Sequence, residues 1–183
     1  LHHTSKMSYN LYPTYQPFSN YISYVAELVA DTVYIPDTST PATTYPDLIL
    51  YVNSLLGELR VSKITSVIAL IYCDHLRCRL PINACGASDT LYRVFTASLL
   101  VACKYMGEKY TNKDFAEASG IFTLQEINQI ERELLILLDY NIWISSDMVR
   151  DFYFSNKAGL ESENSRSNHP QVYHVNKDGF VFN

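Results

Sequence analysis

Cys73, His75, Cys78 and Cys85 are side chains of the types that ligate zinc. A tetrahedral site needs such groups to converge, and the spacing C-x-H-x2-C-x6-C is no familiar zinc pattern. On a helix Cys73 and Cys78 stand five residues apart and His75 points elsewhere, so buried free thiols are the simpler reading and no metal is expected. The chain also lacks a glycine-rich phosphate loop, H-R-D, D-F-G, G-x-S-x-G and H-E-x-x-H. Asp178-Gly179-Phe180 merely permutes a kinase motif and reads as a turn. No catalytic residue and no cofactor are therefore expected. The residue that breaks local pattern is Lys104, a charge at the end of an otherwise apolar run.

That run belongs to a string of helices. Tyr21, Ile22, Val25, Leu28, Val29 and Thr32 recur at spacings of three and four, which predicts an N-terminal helix over 18–34 after an irregular segment 1–17. Prolines and threonines make 35–45 a linker. A short helix is expected at 47–58 and a longer one at 61–79, before Pro81 and Gly86 break the chain. From Ser88 or Asp89, either able to cap, a helix runs to about 106 and is apolar almost all round, which makes it the hub of its domain. A short helix at 112–118 ends at Gly120. Thr123-Leu124-Gln125-Glu126 is a capping box opening a helix to about 140, with Ile127, Ile130, Leu134, Leu137 and Leu138 on one stripe. A last helix starts at Ser145 or Ser146 and reaches 154; 155–183 reads as a flexible tail, with a short strand or docking segment open for 171–183.

The 183 residues, 48% hydrophobic and 18% charged, describe a folded domain rather than a disordered chain. A net charge of −5 weighs against nucleic acid or an anionic membrane as the main partner. No apolar run reaches the roughly 18 residues of a membrane span, and the polar, tyrosine-rich N-terminus does not read as a signal peptide. Three of the four cysteines lie in apolar helical patterns, which fits free thiols in the cytosol or nucleus.

Two motifs give this helical string a family resemblance. Ala102-Cys103-Lys104-Tyr105 resembles the A-x-K-F/Y that ends the third helix of the cyclin box. The run from Glu131 to Ile142, with Leu134, Leu135, Leu138 and Tyr140, is similar to the fifth-helix pattern E-x-x-L-L-x-x-L-x-F/Y-x-L/I. Within cyclins the resemblance is nearest to the fungal P-type group, partners of the phosphate-pathway kinase. It rests on Pro46-Asp47-Leu48, Tyr92-Arg93-Val94-Phe95, Tyr110, Asn112, Phe115, Ala116, Gly120, Ile121, Glu126, Ile127 and Asn128. The implied fold is all-α: a single five-helix cyclin box, with its C-terminal helix, over 46–154, plus the extra N-terminal helix.

The implied function is binding and activation of a cyclin-dependent kinase by positioning its helix C and activation segment, with a possible say in the choice of kinase substrates. Lys104 and Glu131 resemble the pair at the heart of that interface, and Tyr105, Leu135 and Ile142 match its apolar contacts. By residue type alone the pair is a surface salt bridge worth about 0–1 kcal/mol, and the apolar three are ordinary core. Two departures from family pattern stand out. Met106-Gly107 precede Glu108 where the P-type group has an acidic pair, and the M-R-A-I-L docking patch is absent. The competing reading is a cyclin-fold scaffold or transcription-associated module that activates no kinase; DNA-facing versions need a basic surface, which an acidic chain does not offer.

Overall fold

Nine consecutive residues, Phe95 to Cys103, are buried without a break in the middle of α4 (Thr90–Tyr105). A helix enclosed on every side must be packed by neighbours all round. Around it lie α1 (Asn20–Ala30), α2 (Leu48–Glu58), α3 (Lys63–Arg79), α5 (Asn112–Ser119) and α6 (Leu124–Leu137), and α4 contacts each of them. Two more helices, α7 (Ser146–Ser155) and α8 (Lys157–Leu160), pack on α3 and α1 respectively. The computed structural model describes residues 20–36, 45–161, 175–176 and 179–180. In the last two stretches β1 (Val175–Asn176) and β2 (Gly179–Phe180) form a minimal antiparallel ladder. The body is all-helical, as the periodicity predicts. The irregular segment 1–17, most of the linker and most of the tail lie outside the described residues.

Capping explains most helix starts. Asp47 accepts from the amides of Ile49 and Leu50, Ser62 from Thr65, and Ser145 from Met148. Thr123 and Glu126 close the expected capping box, and Thr111 with Asp114 forms a second one. Gly120 ends α5 in the left-handed region at φ 65°. Asp89 stands at the N-cap of α4, as expected, but its carboxylate makes no capping bond. Arg93, one turn on, takes the Asp89 carboxylate, while the Thr90 hydroxyl accepts from the Ala87 amide and closes the preceding turn.

The residues behind the P-type resemblance lock helices to one another. Tyr92 stacks on Tyr45 and meets Tyr51 edge-on, both at 5.1 Å, and its hydroxyl donates to the Pro46 carbonyl at 2.5 Å. That ties the entry of α2 to α4. Tyr110 donates to the Leu59 carbonyl and fixes the loop before α5 to the end of α2. Glu108, which follows Met106-Gly107, turns inward and accepts from the Thr65 hydroxyl of α3. Gly107, at φ 72°, makes the turn that permits this.

Two core expectations need correction. Leu137 is 50% exposed, whereas Leu138 is fully buried. The 3.6-residue period explains it: with Ile127, Leu134 and Leu138 centred on the core, Leu137 falls about 80° to the side, and α6 ends there. Residues 155–161 were expected in the flexible tail. Instead Asn156 accepts from the Tyr24 hydroxyl at 2.7 Å, and α8 seats Leu160 in the core at 3% exposure. A four-residue helix has no readable period, so the apolar signal was a single leucine. Gly159 lets α8 approach, since a Cβ there would stand 2.3 Å from the Tyr24 ring. Replacing Leu160 by alanine should lower unfolding free energy by about 2 kcal/mol or more, read as a lower urea midpoint. A flexible tail would give no change.

Candidate functional site

The Lys104 side chain emerges where α4 leaves the core. Its Nζ donates to Glu131 Oε1 of α6 at 2.5 Å, and the two side chains are 42% and 17% exposed. The second carboxylate oxygen of Glu131 accepts from Asn112 Nδ2 at 2.7 Å, at the start of α5. The same Asn112 amide donates to Asn128 Oδ1, one turn before Glu131 on α6, also at 2.7 Å. Three helices thus converge on one carboxylate. Two oxygens engaged by different partners fix its rotamer better than a single ion pair does. Lys104 retains donors for further acceptors, because an ammonium has three.

Asn112 and Asn128 were visible as motif residues without an assigned role. The signal that could have found them is spacing: Asn128 and Glu131 are three apart, hence neighbours on one helix face. Nothing local in the sequence tells that Asn112 reaches them from α5.

The three expected apolar contacts are all half-buried. Tyr105 follows Lys104, and its hydroxyl donates to the Ile144 carbonyl at 3.1 Å while accepting from the Ile144 amide at 3.3 Å. Ile142 is pinned two residues earlier, where Tyr72 of α3 donates to its carbonyl at 2.8 Å. Leu135 lies one turn beyond Glu131 on α6. Tyr105 and Ile142 therefore shape the segment that joins α6 to α7 rather than standing free.

Apolar surface is left uncovered around that segment, as it also is at Tyr34, Ile82 and Phe154. Ile136, Leu137, Tyr140 and Trp143 are all more than half exposed or at half, with Tyr140 at 65% and Trp143 at 67%. Its backbone is also unusual. Asp139 and Tyr140 have φ of 53° and 54°, two consecutive left-handed residues without a glycine. Aspartate tolerates this, whereas tyrosine pays a steric penalty of about 1–2 kcal/mol. The turn is held by amides of Asp139 and Tyr140 donating to the carbonyls of Ile136 and Leu135 at 2.9 and 2.7 Å.

The zinc-type residues do not converge. Cys73 is buried and donates to Ser98 at 3.5 Å, with its thiol pushed up to about 11 by burial, while Cys78 and Cys85 are exposed. Among the described residues no three His, Cys, Asp or Glu side chains group to hold a metal ion. No helix among them is long and apolar enough to cross a membrane.

An all-helical body built round a buried central helix agrees with what comparison with known proteins finds. The family described as "Cyclin, N-terminal domain" matches residues 18–143. Relatives in Saccharomyces cerevisiae include PHO85 cyclin-2, 32% identical over 131 residues, which span 69% of this chain and 42% of that protein. PHO85 cyclin-1 is 32% identical over 112 residues, covering 60% of this chain and 40% of its own length. PHO85 cyclin-9 is 26% identical over 129 residues, 68% of this chain and 42% of the relative. The chain belongs to the cyclin family, and its kinship is with the fungal phosphate-pathway type. The matched region spans well under half the length of these relatives.

The strained turn yields a stability test. Tyr140→Gly should exceed Tyr140→Ala in unfolding free energy by about 1 kcal/mol, because only glycine relieves the left-handed backbone. Urea unfolding of the two variants reads the difference; an alanine variant equal to glycine would contradict it.

Proposed function

We propose that this chain is the regulatory subunit of a cyclin-dependent protein kinase and supplies no reacting group itself. The relatives are named as cyclins of PHO85, so a PHO85-type kinase is the partner in this reading. A protein kinase transfers phosphate only when its lysine–glutamate pair and its metal-binding aspartate are in place, and the position of helix C controls both. A partner that grips helix C and the activation segment more tightly in their active placement shifts that equilibrium by its differential affinity. Moving a kinase from 1:99 to 99:1 active requires about 5.5 kcal/mol.

One observation carries the reading: the Lys104–Glu131–Asn112 network lies beside the exposed apolar side chains of Ile136, Leu137, Tyr140 and Trp143. An ion pair alone falls short of 5.5 kcal/mol, whereas an apolar interface on the order of 2,000 Å² supplies it. In this division of labour the apolar segment provides affinity. Lys104 and Glu131 set register by bonding to carbonyl and amide groups of the kinase backbone. Leu135, Tyr105 and Ile142 form the floor against which the kinase packs. The net charge of −5 fits a protein partner better than nucleic acid or an anionic membrane. Four free cysteines suit action in the reducing cytosol or nucleus.

Titration of a PHO85-type kinase against immobilised chain tests this. Lys104→Ala and Glu131→Ala should each weaken binding at least about tenfold, or 1.4 kcal/mol. The double variant should lose less than the sum, as coupled neighbours do. Wild-type affinity in both single variants would overturn the assignment.

A further inference from the structure

Trp143 is the chain's single tryptophan, and it stands 67% exposed in a segment that is neither helix nor strand. Its neighbour Ile144 is buried at 4%, so the chain turns one side chain inward and the larger one outward. One exposed apolar residue means little by itself. The backbone beneath it says more.

Two hydroxyls from the helical body hold that backbone on either side of Trp143. Tyr72 is fully buried in α3, and its hydroxyl donates to the Ile142 carbonyl at 2.8 Å. That carbonyl lies in the peptide plane entering Trp143. Tyr105, at the end of α4, accepts from the Ile144 amide at 3.3 Å, and that amide lies in the plane leaving Trp143. The same hydroxyl donates to the Ile144 carbonyl at 3.1 Å. A residue has two soft backbone torsions, one toward each flanking plane. Holding both planes fixes both torsions, and with them the direction in which Cβ leaves the backbone. Burial, and next the nearby Tyr105, push the Tyr72 phenol above its ordinary range, so it stays a neutral donor. Packing of α3 needs the Tyr72 ring and not its hydroxyl, whose hydrogen bond goes to the backbone under Trp143.

We infer that Trp143 is a preformed apolar anchor for the kinase and that Tyr72 is a positioning residue for that contact, acting through the Ile142 carbonyl. The occupant rests on the kinase reading above; the clamp on Trp143 does not. Trp143 follows Ile142 directly and continues the uncovered apolar surface of Leu137 and Tyr140. A tryptophan gives a large contact area, and one already held in its binding orientation loses little freedom on association. An unclamped indole would occupy that orientation for part of the time, and apparent affinity falls with that fraction.

Time-resolved fluorescence anisotropy of the whole chain alone reads Trp143 without a label, and titration with a PHO85-type kinase reads affinity. Tyr72→Phe removes the hydroxyl and keeps the ring. It should enlarge the fast-depolarising fraction of Trp143 and weaken kinase binding about fivefold or more. Trp143→Ala should weaken binding at least about tenfold. Tyr51→Phe is the control, because Tyr51 is also buried, at 3%, while its hydroxyl bonds Thr96 inside the core. It should lower the urea midpoint much as Tyr72→Phe does, yet leave Trp143 anisotropy and kinase affinity as in the wild type.

Unchanged anisotropy in Tyr72→Phe overturns the positioning role. Equal loss of affinity in Tyr51→Phe and Tyr72→Phe overturns it too, by making the effect one of general stability. Wild-type affinity in Trp143→Ala and Tyr72→Phe, while Lys104→Ala binds more weakly, overturns the inference and keeps the kinase reading. A wild-type chain that binds no kinase defeats that reading, and with it the occupant named here, whatever the anisotropy shows.

Discussion

A helix enclosed on all sides can hold charge only at its ends, and the rest of this protein is arranged around that constraint. From Phe95 to Cys103 α4 offers no position for an ionised group. Even its polar residues are satisfied inside the core. Thr96 donates to the Tyr92 carbonyl and bonds Tyr51, and Ser98 accepts from Cys73. Unpaired, such buried groups would each be destabilising by about 1–3 kcal/mol. Among the described residues no buried side-chain nitrogen or oxygen lacks a partner. Lys104 is the first residue past this sealed stretch, so its placement follows from burial of the nine before it. Glu131 is drawn to the same point from α6, and Asn112 from α5 locks it there.

The same burial links the site to the turn after α6. Tyr72 and Tyr105 come from the two most enclosed helices, yet both hydroxyls are spent on the backbone of 142–144. Core residues thereby fix a surface segment whose neighbours Tyr140 and Trp143 remain uncovered. Strain at Asp139 and Tyr140 fits this picture. A left-handed tyrosine persists only where surrounding contacts over-determine it, and such outliers gather at functional surfaces.

Much of the fold was legible because strong periodicity and side-chain caps are local signals. The limits of α2, α3, α5 and α7 fall within two residues of those read from apolar spacing. The failures have separate physical causes: a competing ion pair, a leucine off the buried arc, and a helix too brief to show a period. Asp89 was a fair cap until Arg93 claimed its carboxylate. Leu137 fitted an i+3 spacing but sat off the buried arc. For α8 a single buried leucine was the whole message. At the site, Lys104 and Glu131 were readable as motif residues, whereas Asn112 required the packing of α5 on α6.

The central claim is that the surface around Lys104 and Glu131, with segment 135–143, is the face that meets a kinase. Amide hydrogen exchange of the whole chain, alone and saturated with a PHO85-type kinase, tests it most directly. The account predicts slowed exchange in residues 138–144 and at the C-terminal turn of α4, with α1 and α7 unchanged. Protection confined to α1, α3 and α7, with none at 138–144, would contradict it.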